Sequence, residues 1–141
     1  IVGDLAGQLV PNVIYSGAFY WMYKATGDEI AYNRSIRMFK ATVYSSAVTN
    51  ILKYTVRQKR PDSDNRDSFP SGHATSAFAF ATVVATEHEW YWGAGAFTLA
   101  GFVAYSRIND NAHYLHDVLG GAVIGLVTDW DYIIFIKTRT V

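Results

Sequence analysis

Three short stretches of this sequence carry side chains whose types and spacing could bind an anion and perform acid–base or nucleophilic chemistry. In the first, KYTVRQKRP, Lys53 and Arg60 stand seven residues apart. On a helix that spacing is about two turns, so the two cations would share one face, with Arg57 between them. The alternative is a basic, solvated helix end that favours the helix dipole. Taken alone, this stretch does not decide between them.

The second stretch, PSGH, indicates the N-terminus of a helix at Pro70 to His73. Helix N-termini present free backbone N–H groups and partial positive charge, and therefore bind phosphate. Gly72 would let an anion approach the backbone closely, and Ser71 could add a hydroxyl donor. His73 would lie in the first turn, within reach of whatever Gly72 holds. Packing or helix capping is the other interpretation of this histidine.

The third stretch, SRINDNAHYLHD, places His113 and Asp117 four residues apart. On a helix they would lie on one face and could form a hydrogen bond. A carboxylate in that position fixes the tautomer of the ring and makes its other nitrogen a better nucleophile or base. Arg107 comes just before, and His116 is interpreted as a surface histidine. A zinc site on both histidines and Asp117 is an alternative, but no zincin pattern accompanies them.

Long apolar segments must position these residues. The chain has 141 residues, of which 50% are hydrophobic and 17% charged, and this is enough for one domain. Its apolar segments are rich in Ala and Gly and lack period-two alternation, which favours helices over strands. We therefore predict an all-α bundle of about five helices, with Pro61 ending the second. The segments are Gln8–Tyr23, Ser35–Gln58, Gly72–Thr86, Tyr91–Tyr105 and His113–Ile136.

Composition also limits the classes of function. The formal net charge is zero, which gives no support for nucleic-acid binding. The sequence has no cysteine, so disulfides and thiolate metal sites are excluded. It begins with IVGDLAG, without a methionine or a basic-then-apolar leader, so we expect a mature or trimmed chain that lacks a signal or first helix.

The apolar segments favour a protein that is embedded in a membrane or tightly associated with one. Aromatic residues gather near segment ends, as in an interfacial belt. These groups are Tyr20, Trp21 and Tyr23; Trp90, Tyr91 and Trp92; and Trp130 and Tyr132. Two observations oppose this interpretation. The stretches ATSAFAFATVVAT and YWGAGAFTLAGFVAY are shorter than the roughly 20 residues that span a bilayer, and Asp129 and Asp131 interrupt the last segment. A soluble helical core with packed aromatics is the alternative.

Together the three stretches resemble the three-part signature of the type 2 phosphatidic acid phosphatase (PAP2) family. The matching patterns are K-x6-R-P from Lys53, P-S-G-H from Pro70, and S-R-x5-H-x3-D from Ser106, in that order. The wider superfamily includes bacterial non-specific acid phosphatases and vanadium haloperoxidases. One departure is the connection between Pro61 and Pro70, whose eight residues leave little material for a lid.

The resemblance implies a role for each matching residue. His113 would attack phosphorus to form a phosphohistidine, Asp117 would orient His113, and His73 would protonate the leaving oxygen and later activate water. The phosphoryl oxygens would be held by Lys53, Arg60, Ser71, Gly72 and Arg107. No metal or other cofactor is implied, because phosphoryl transfer depends mainly on positioning and on charge stabilisation.

The function expected from this resemblance is a metal-independent, vanadate-inhibited hydrolase of a lipid phosphate monoester or pyrophosphate. Phospholipid, isoprenyl and lipid A phosphates all remain open as substrates, and so does the oligomeric state. The alternatives are a soluble periplasmic acid phosphatase for small phosphoesters, a haloperoxidase, and a catalytically silent bundle that binds anionic lipid. Haloperoxidases are typically much larger.

We expect the site to face the periplasm from the bacterial inner membrane. The resemblance implies this orientation, and a slight excess of positive charge at the other end agrees with it. That end collects Lys24, Arg34, Arg37, Lys137 and Arg139, against Arg57, Lys59 and Arg66 on the site side.

Overall fold

A computed structural model describes residues 2–129, with side chains from Gln8 onward, as five α-helices. The helices are α1 (Val2–Thr26), α2 (Glu29–Val56), α3 (Gly72–Glu87), α4 (Trp90–Asn109) and α5 (Leu115–Val127). The predicted all-α bundle is therefore confirmed. The predicted extension of the last helix to Ile136 lies outside the described residues, as do Trp130, Asp131, Tyr132, Lys137 and Arg139.

The first two helices are separated by a much tighter turn than the sequence suggested. Gly27 has a φ of 73°, and the Asp28 carboxylate accepts a hydrogen bond of 2.9 Å from Ile30 N, so Asp28 is the N-cap of α2. A left-handed residue followed by a capping aspartate stops one helix and starts the next within two residues. The predicted break over residues 24–34 and the start of the second segment at Ser35 are thus wrong.

Helix α3 lies at the centre of the bundle and packs against the other four helices. Its buried side chains are mostly small, which lets neighbouring helices approach closely. On α5, glycines face it: a Cβ at Gly121 would lie 2.6 Å from Ser71 O, and one at Gly125 would lie 2.7 Å from Thr75 O. Only residues without a Cβ fit there, so this contact sets the separation of α3 and α5 and places the N-terminal ends of the two helices side by side.

A cluster of ion pairs closes the end of the bundle where α2 begins and α3 and α5 end. Arg37 binds both Glu87 and Asp129, with 2.7 Å between Arg37 Nη2 and Asp129 Oδ2, and Arg34 lies 3.6 Å from Glu87. Tyr15 OH is 2.7 Å from His88 Nε2 beside them. Two of the cations counted for orientation are therefore neutralised by carboxylates, which weakens the charge argument for the predicted orientation.

Large apolar side chains are exposed along α1, α2, α4 and α5. The aromatic groups at Tyr20 to Tyr23 and Trp90 to Trp92 lie near the end that carries the ion pairs, because α1 ends there and α4 begins there. None of the helices described over residues 2–129 has both the length and the apolar character needed to cross a bilayer.

Candidate active site

The first group of site residues lies where α2 ends. Arg57 adopts left-handed dihedrals (φ 50°, ψ 43°), and its N–H donates to Lys53 O at 3.1 Å, which ends the helix at Val56. Lys53 is therefore in the last turn, whereas Arg60 is in the following loop. The predicted helical face shared by the two cations is wrong, and so is Pro61 as the helix terminator. The loop nevertheless brings Lys53 and Arg60 to the same cavity.

The loop between α2 and α3 is fastened at several points. Ser68 N donates to Gln58 O at 3.0 Å, Arg60 N to Asn65 O at 2.9 Å, and Ser71 N to Asp117 O at 2.9 Å. The last bond ties the loop to α5. These main-chain bonds hold the loop at three points, so the side chains it carries have defined positions at the cavity.

Asp67 is a cavity-lining residue that the sequence interpretation missed. Its carboxylate accepts hydrogen bonds from Arg60 Nε (2.7 Å) and Arg60 Nη2 (3.2 Å), and its backbone oxygen accepts one from Lys53 Nζ. Burial alone would raise the pKa of the Asp67 carboxyl, but the hydrogen bonds and charge of Arg60, with the charge of Lys53, outweigh burial and hold that pKa below its usual value. One residue thus contacts both cations of the first motif.

The N-terminus of α3 forms the second part of the site. Gly72 lines the cavity, where an added Cβ would come within 2.9 Å of Gln8 Cδ. Ser71 is the N-cap, and its oxygen accepts from Ala74 N at 3.4 Å. As predicted, His73 is in the first turn of α3. In the part of the chain that the structure describes, Ser71 and His73 are not among the residues that line the cavity.

His113 lies in the turn between α4 and α5. Its N–H and that of Ala112 donate to Arg107 O at 3.2 and 3.1 Å. The ring is only 4% exposed and lines the cavity. The pKa of His113 is lowered to about 4. Burial is the largest cause, the charges of Arg60 and Lys53 add to it, and Asp117 and a Ser68 backbone hydrogen bond oppose it. The ring is therefore neutral at pH 7.

Asp117 does not hold His113 in the way that the spacing predicts. Because α5 begins at Leu115, His113 precedes the helix, and its Nδ1 lies 3.7 Å from Asp117 Oδ2, too far for a hydrogen bond. That oxygen accepts instead from Ser68 Oγ at 2.5 Å and Tyr114 N at 2.8 Å. Asp117 therefore joins the loop after α2 to the start of α5, with the His113 ring beside it.

Two further residues of the third stretch lie away from the cavity lining among the described residues. The Arg107 guanidinium is 3.7 Å from Asp110, and its buried Nε has no hydrogen-bond partner within residues 8–129. His116 is exposed, and its Nε2 lies 2.8 Å from Gln58 Oε1 and 3.0 Å from Asp117 Oδ1. This agrees with its interpretation as a surface histidine.

The cavity has a volume of about 510 Å³ and two chemically different walls. The charged wall comprises Lys53, Arg60, Asp67, Gly72 and His113. The polar wall comprises Gln8, Ser45, Ser46, Thr49 and Asn50, from α1 and α2. Within the described residues, no three His, Cys, Asp or Glu side chains converge as metal ligands would. The charged wall suits a phosphoryl group, because it offers cations, a helix N-terminus and a neutral imidazole.

Comparison with known proteins bears on the family to which this chain belongs. The family model described as PAP2 superfamily matches residues 35–140. Lipid A 1-phosphatase of Porphyromonas gingivalis is 42% identical over 84 residues, which are 57% of this chain and 19% of that protein. Phosphatidylglycerophosphatase B of Bacillus subtilis is 27% identical over 134 residues, covering 84% of this chain and 63% of that protein. The chain thus spans less than two thirds of either relative.

A crystal structure of Aquifex aeolicus LpxE is similar in fold. It aligns with 94% of this chain and 83% of its own length, at a TM-score of 0.70 and 22% sequence identity. The match extends over nearly all five helices, so the arrangement of the bundle is that of a known fold.

Proposed function

This chain belongs to the PAP2 superfamily, and we propose that it hydrolyses a lipid phosphate monoester or pyrophosphate through a phosphohistidine on His113. The observation that carries the proposal is the position of that buried ring in the cavity. His113 is buried and neutral, and it lines the cavity together with Lys53 and Arg60. A nucleophilic imidazole needs its lone pair, and the cations that suppress its protonation also attract the phosphate.

In the first step, His113 Nε2 attacks phosphorus and the bond from phosphorus to the leaving oxygen breaks. Nε2 is the attacking atom in this proposal because Nδ1 faces the carboxylate of Asp117 at 3.7 Å. A proton on Nδ1 then leaves the Nε2 lone pair available, and Asp117 stabilises the positive charge that develops on the ring.

His73 supplies the proton that the leaving oxygen needs. It follows Gly72 directly in the first turn of α3, and Gly72 lines the cavity. In the second step His73 takes a proton from water, the water oxygen bonds to phosphorus, and the bond to His113 breaks. The products are the free alcohol, or the shortened phosphate ester, and inorganic phosphate.

Lys53, Arg60 and the Gly72 N–H bind the phosphoryl oxygens in this proposal. Ser71, as the N-cap, orients the first turn of α3. The contact of its hydroxyl with the same oxygens rests on the family resemblance. The Arg107 guanidinium faces Asp110 in this structure, and we assign it to the phosphoryl group after it leaves that carboxylate. Cations and backbone donors placed around a transferring phosphoryl group provide most of the catalysis in such reactions.

A lipid substrate suits the surface around the site. Tyr54, in the last turn of α2, is exposed and lines the cavity next to Lys53, so it can contact an acyl chain while the phosphate enters the cavity. We propose that the protein works at a membrane, where the exposed apolar side chains meet lipid. The proposed orientation, with the cavity toward the periplasm, rests on the family resemblance.

The test is phosphate release from a panel of lipid phosphates and from p-nitrophenyl phosphate, with EDTA or vanadate present or absent. We expect release from the lipids that vanadate inhibits and EDTA does not, and that disappears in His113→Ala. His88→Ala is the matched control, since it removes an imidazole at the opposite end of the bundle. Full activity in His113→Ala would refute the assigned nucleophile. Preference for the small ester in detergent-free solution would favour a soluble acid phosphatase.

A further inference from the structure

The polar wall of the cavity has no role in the phosphate chemistry proposed above. Along α2, Ser45, Thr49 and Lys53 recur at four-residue intervals and therefore share a helix face. Thr49 lies one turn from the phosphate-binding lysine. Across the cavity, the carboxamide of Gln8 lies against Gly72, because a Cβ on Gly72 would come within 2.9 Å of Gln8 Cδ. Hydroxyl and carboxamide groups thus continue the site directly beyond the phosphoryl position.

Thr49 differs from three other hydroxyl residues of α2. Thr42 donates to Met38 O, Ser45 to Thr42 O and Thr55 to Ile51 O, so each of these hydroxyls is satisfied within its own helix. The Thr49 side chain is buried, with the residue only 5% exposed, yet its Oγ1 has no hydrogen-bond partner among the described residues. A buried hydroxyl without a partner is costly and calls for an explanation. Because Thr49 lines the cavity, a ligand hydroxyl can supply the missing partner.

We propose that the polar wall binds hydroxyl groups on the alcohol that leaves phosphate, so that the preferred substrate is a phosphorylated sugar or glycerol headgroup. This inference rests on the proposed phosphatase function and names its substrate class. An isoprenyl phosphate would place hydrocarbon against the wall and leave the Thr49 hydroxyl unpaired. Sites built to hydrogen-bond a substrate hydroxyl discriminate strongly against analogues that lack it.

The cavity has room for such a headgroup. Its volume of about 510 Å³ is within the range of sites that hold small organic ligands, and phosphate contacts account for one wall only. Thr49 and Asn50 both come from α2, so the headgroup would lie along that helix while its acyl chains pass the exposed Tyr54.

The test compares kcat/KM on three lipids: a glycolipid 1-phosphate, phosphatidylglycerol phosphate and a polyprenyl phosphate, all in the same detergent. Thr49→Val replaces the hydroxyl with a methyl group of equal size. We expect this variant to lose about tenfold in kcat/KM on a hydroxylated substrate and less than twofold on the polyprenyl phosphate. Thr55→Val is the matched control on the exposed side of the same helix and should change none of the three values.

Comparing the glycolipid 1-phosphate with phosphatidylglycerol phosphate shows which headgroup contacts Thr49. The substrate on which Thr49→Val loses more kcat/KM is the one whose hydroxyl groups bind there. Asn50→Ala, at an exposed position of the same wall, should show the same selective loss and covers the case in which Thr49→Val does not fold. Equal losses on all three lipids, or none, would overturn the inference while leaving the phosphatase proposal intact. If the wild-type protein releases phosphate from none of them, the proposed function itself is wrong.

Discussion

Replacing Asp67 with asparagine should tighten the binding of inorganic phosphate. The Asp67 carboxylate lines the cavity and forms two hydrogen bonds with Arg60, at 2.7 and 3.2 Å. A phosphate dianion that approaches Arg60 therefore meets a fixed negative charge within the same site. The carboxamide of Asp67→Asn would be neutral but could still accept one hydrogen bond from Arg60, so the guanidinium would keep a similar position.

The size of the effect follows from Coulomb's law. Two unit charges about 4 Å apart interact by about 4 kcal/mol at an effective dielectric constant near 20 and by about 1 kcal/mol in water. The Asp67 side chain is 45% exposed, which places the interaction toward the aqueous limit. Removing this repulsion should stabilise bound phosphate by about 1.4 kcal/mol, which is a tenfold lower dissociation constant.

The assay is titration calorimetry with inorganic phosphate on the wild-type protein, Asp67→Asn and the control Asp64→Asn. Asp64 belongs to the same loop and pairs with Lys59 at 2.6 Å, but its side chain is 97% exposed. The control makes the same change in formal charge and should alter the affinity less than twofold. Unchanged or weaker binding in Asp67→Asn would refute the reasoning, and would mean that Asp67 acts mainly by positioning Arg60.

Three further predictions concern stability and are measured by chemical denaturation. His113 has a folded-state pKa of about 4 against an ordinary value of 6.5, so the unfolded chain binds this proton more readily than the folded protein does. The free energy of unfolding should therefore fall by about 2–3 kcal/mol between pH 6.5 and 4. In His113→Gln the fall over this pH range should be smaller. Gly125→Ala should lower the free energy of unfolding by about 2 kcal/mol or more, because the new Cβ would lie 2.7 Å from main-chain atoms of α3. Gly95→Ala meets no described atom within 4 Å and should raise it by about 0.5–1 kcal/mol. Equal effects of the two substitutions would contradict the close α3–α5 contact. Glu87→Gln should lower the free energy of unfolding by about 2 kcal/mol, since it removes a carboxylate that binds Arg37. An unchanged free energy of unfolding would show that Asp129 alone satisfies this guanidinium.

The sequence was sufficient to predict the helical class and the family, and four of its candidate residues, Lys53, Arg60, Gly72 and His113, line one cavity. Local geometry was less predictable. The spacing of Lys53 and Arg60 suggested one helical face, but a left-handed Arg57 ends α2 between them. A non-glycine residue in that conformation is uncommon, so nothing in the local sequence pattern marked the helix end there.

The partners of the site residues could be predicted only in part. Asp67 belongs to no pattern, and its importance depends on a loop that folds back on both cations. Thr49 could have been found, since Ser45, Thr49 and Lys53 form a polar row with four-residue spacing along α2. What no spacing reveals is that the Thr49 hydroxyl lacks a partner in its own helix.

The depressed pKa of His113 has a consequence for the order of events in the proposed reaction. Burial is its largest cause, and burial persists when substrate binds, whereas the fields of Arg60 and Lys53 are partly neutralised by an arriving phosphate dianion. Binding should therefore raise the pKa of His113 at the moment when the ring must be unprotonated. Starting from about 4, the pKa can rise by about two units and still leave the ring mostly neutral at pH 7. A histidine with an ordinary pKa would have no such margin, because the same rise would protonate it before it could attack. The low starting value thus lets one cavity bind a doubly charged group and keep the proposed nucleophile unprotonated.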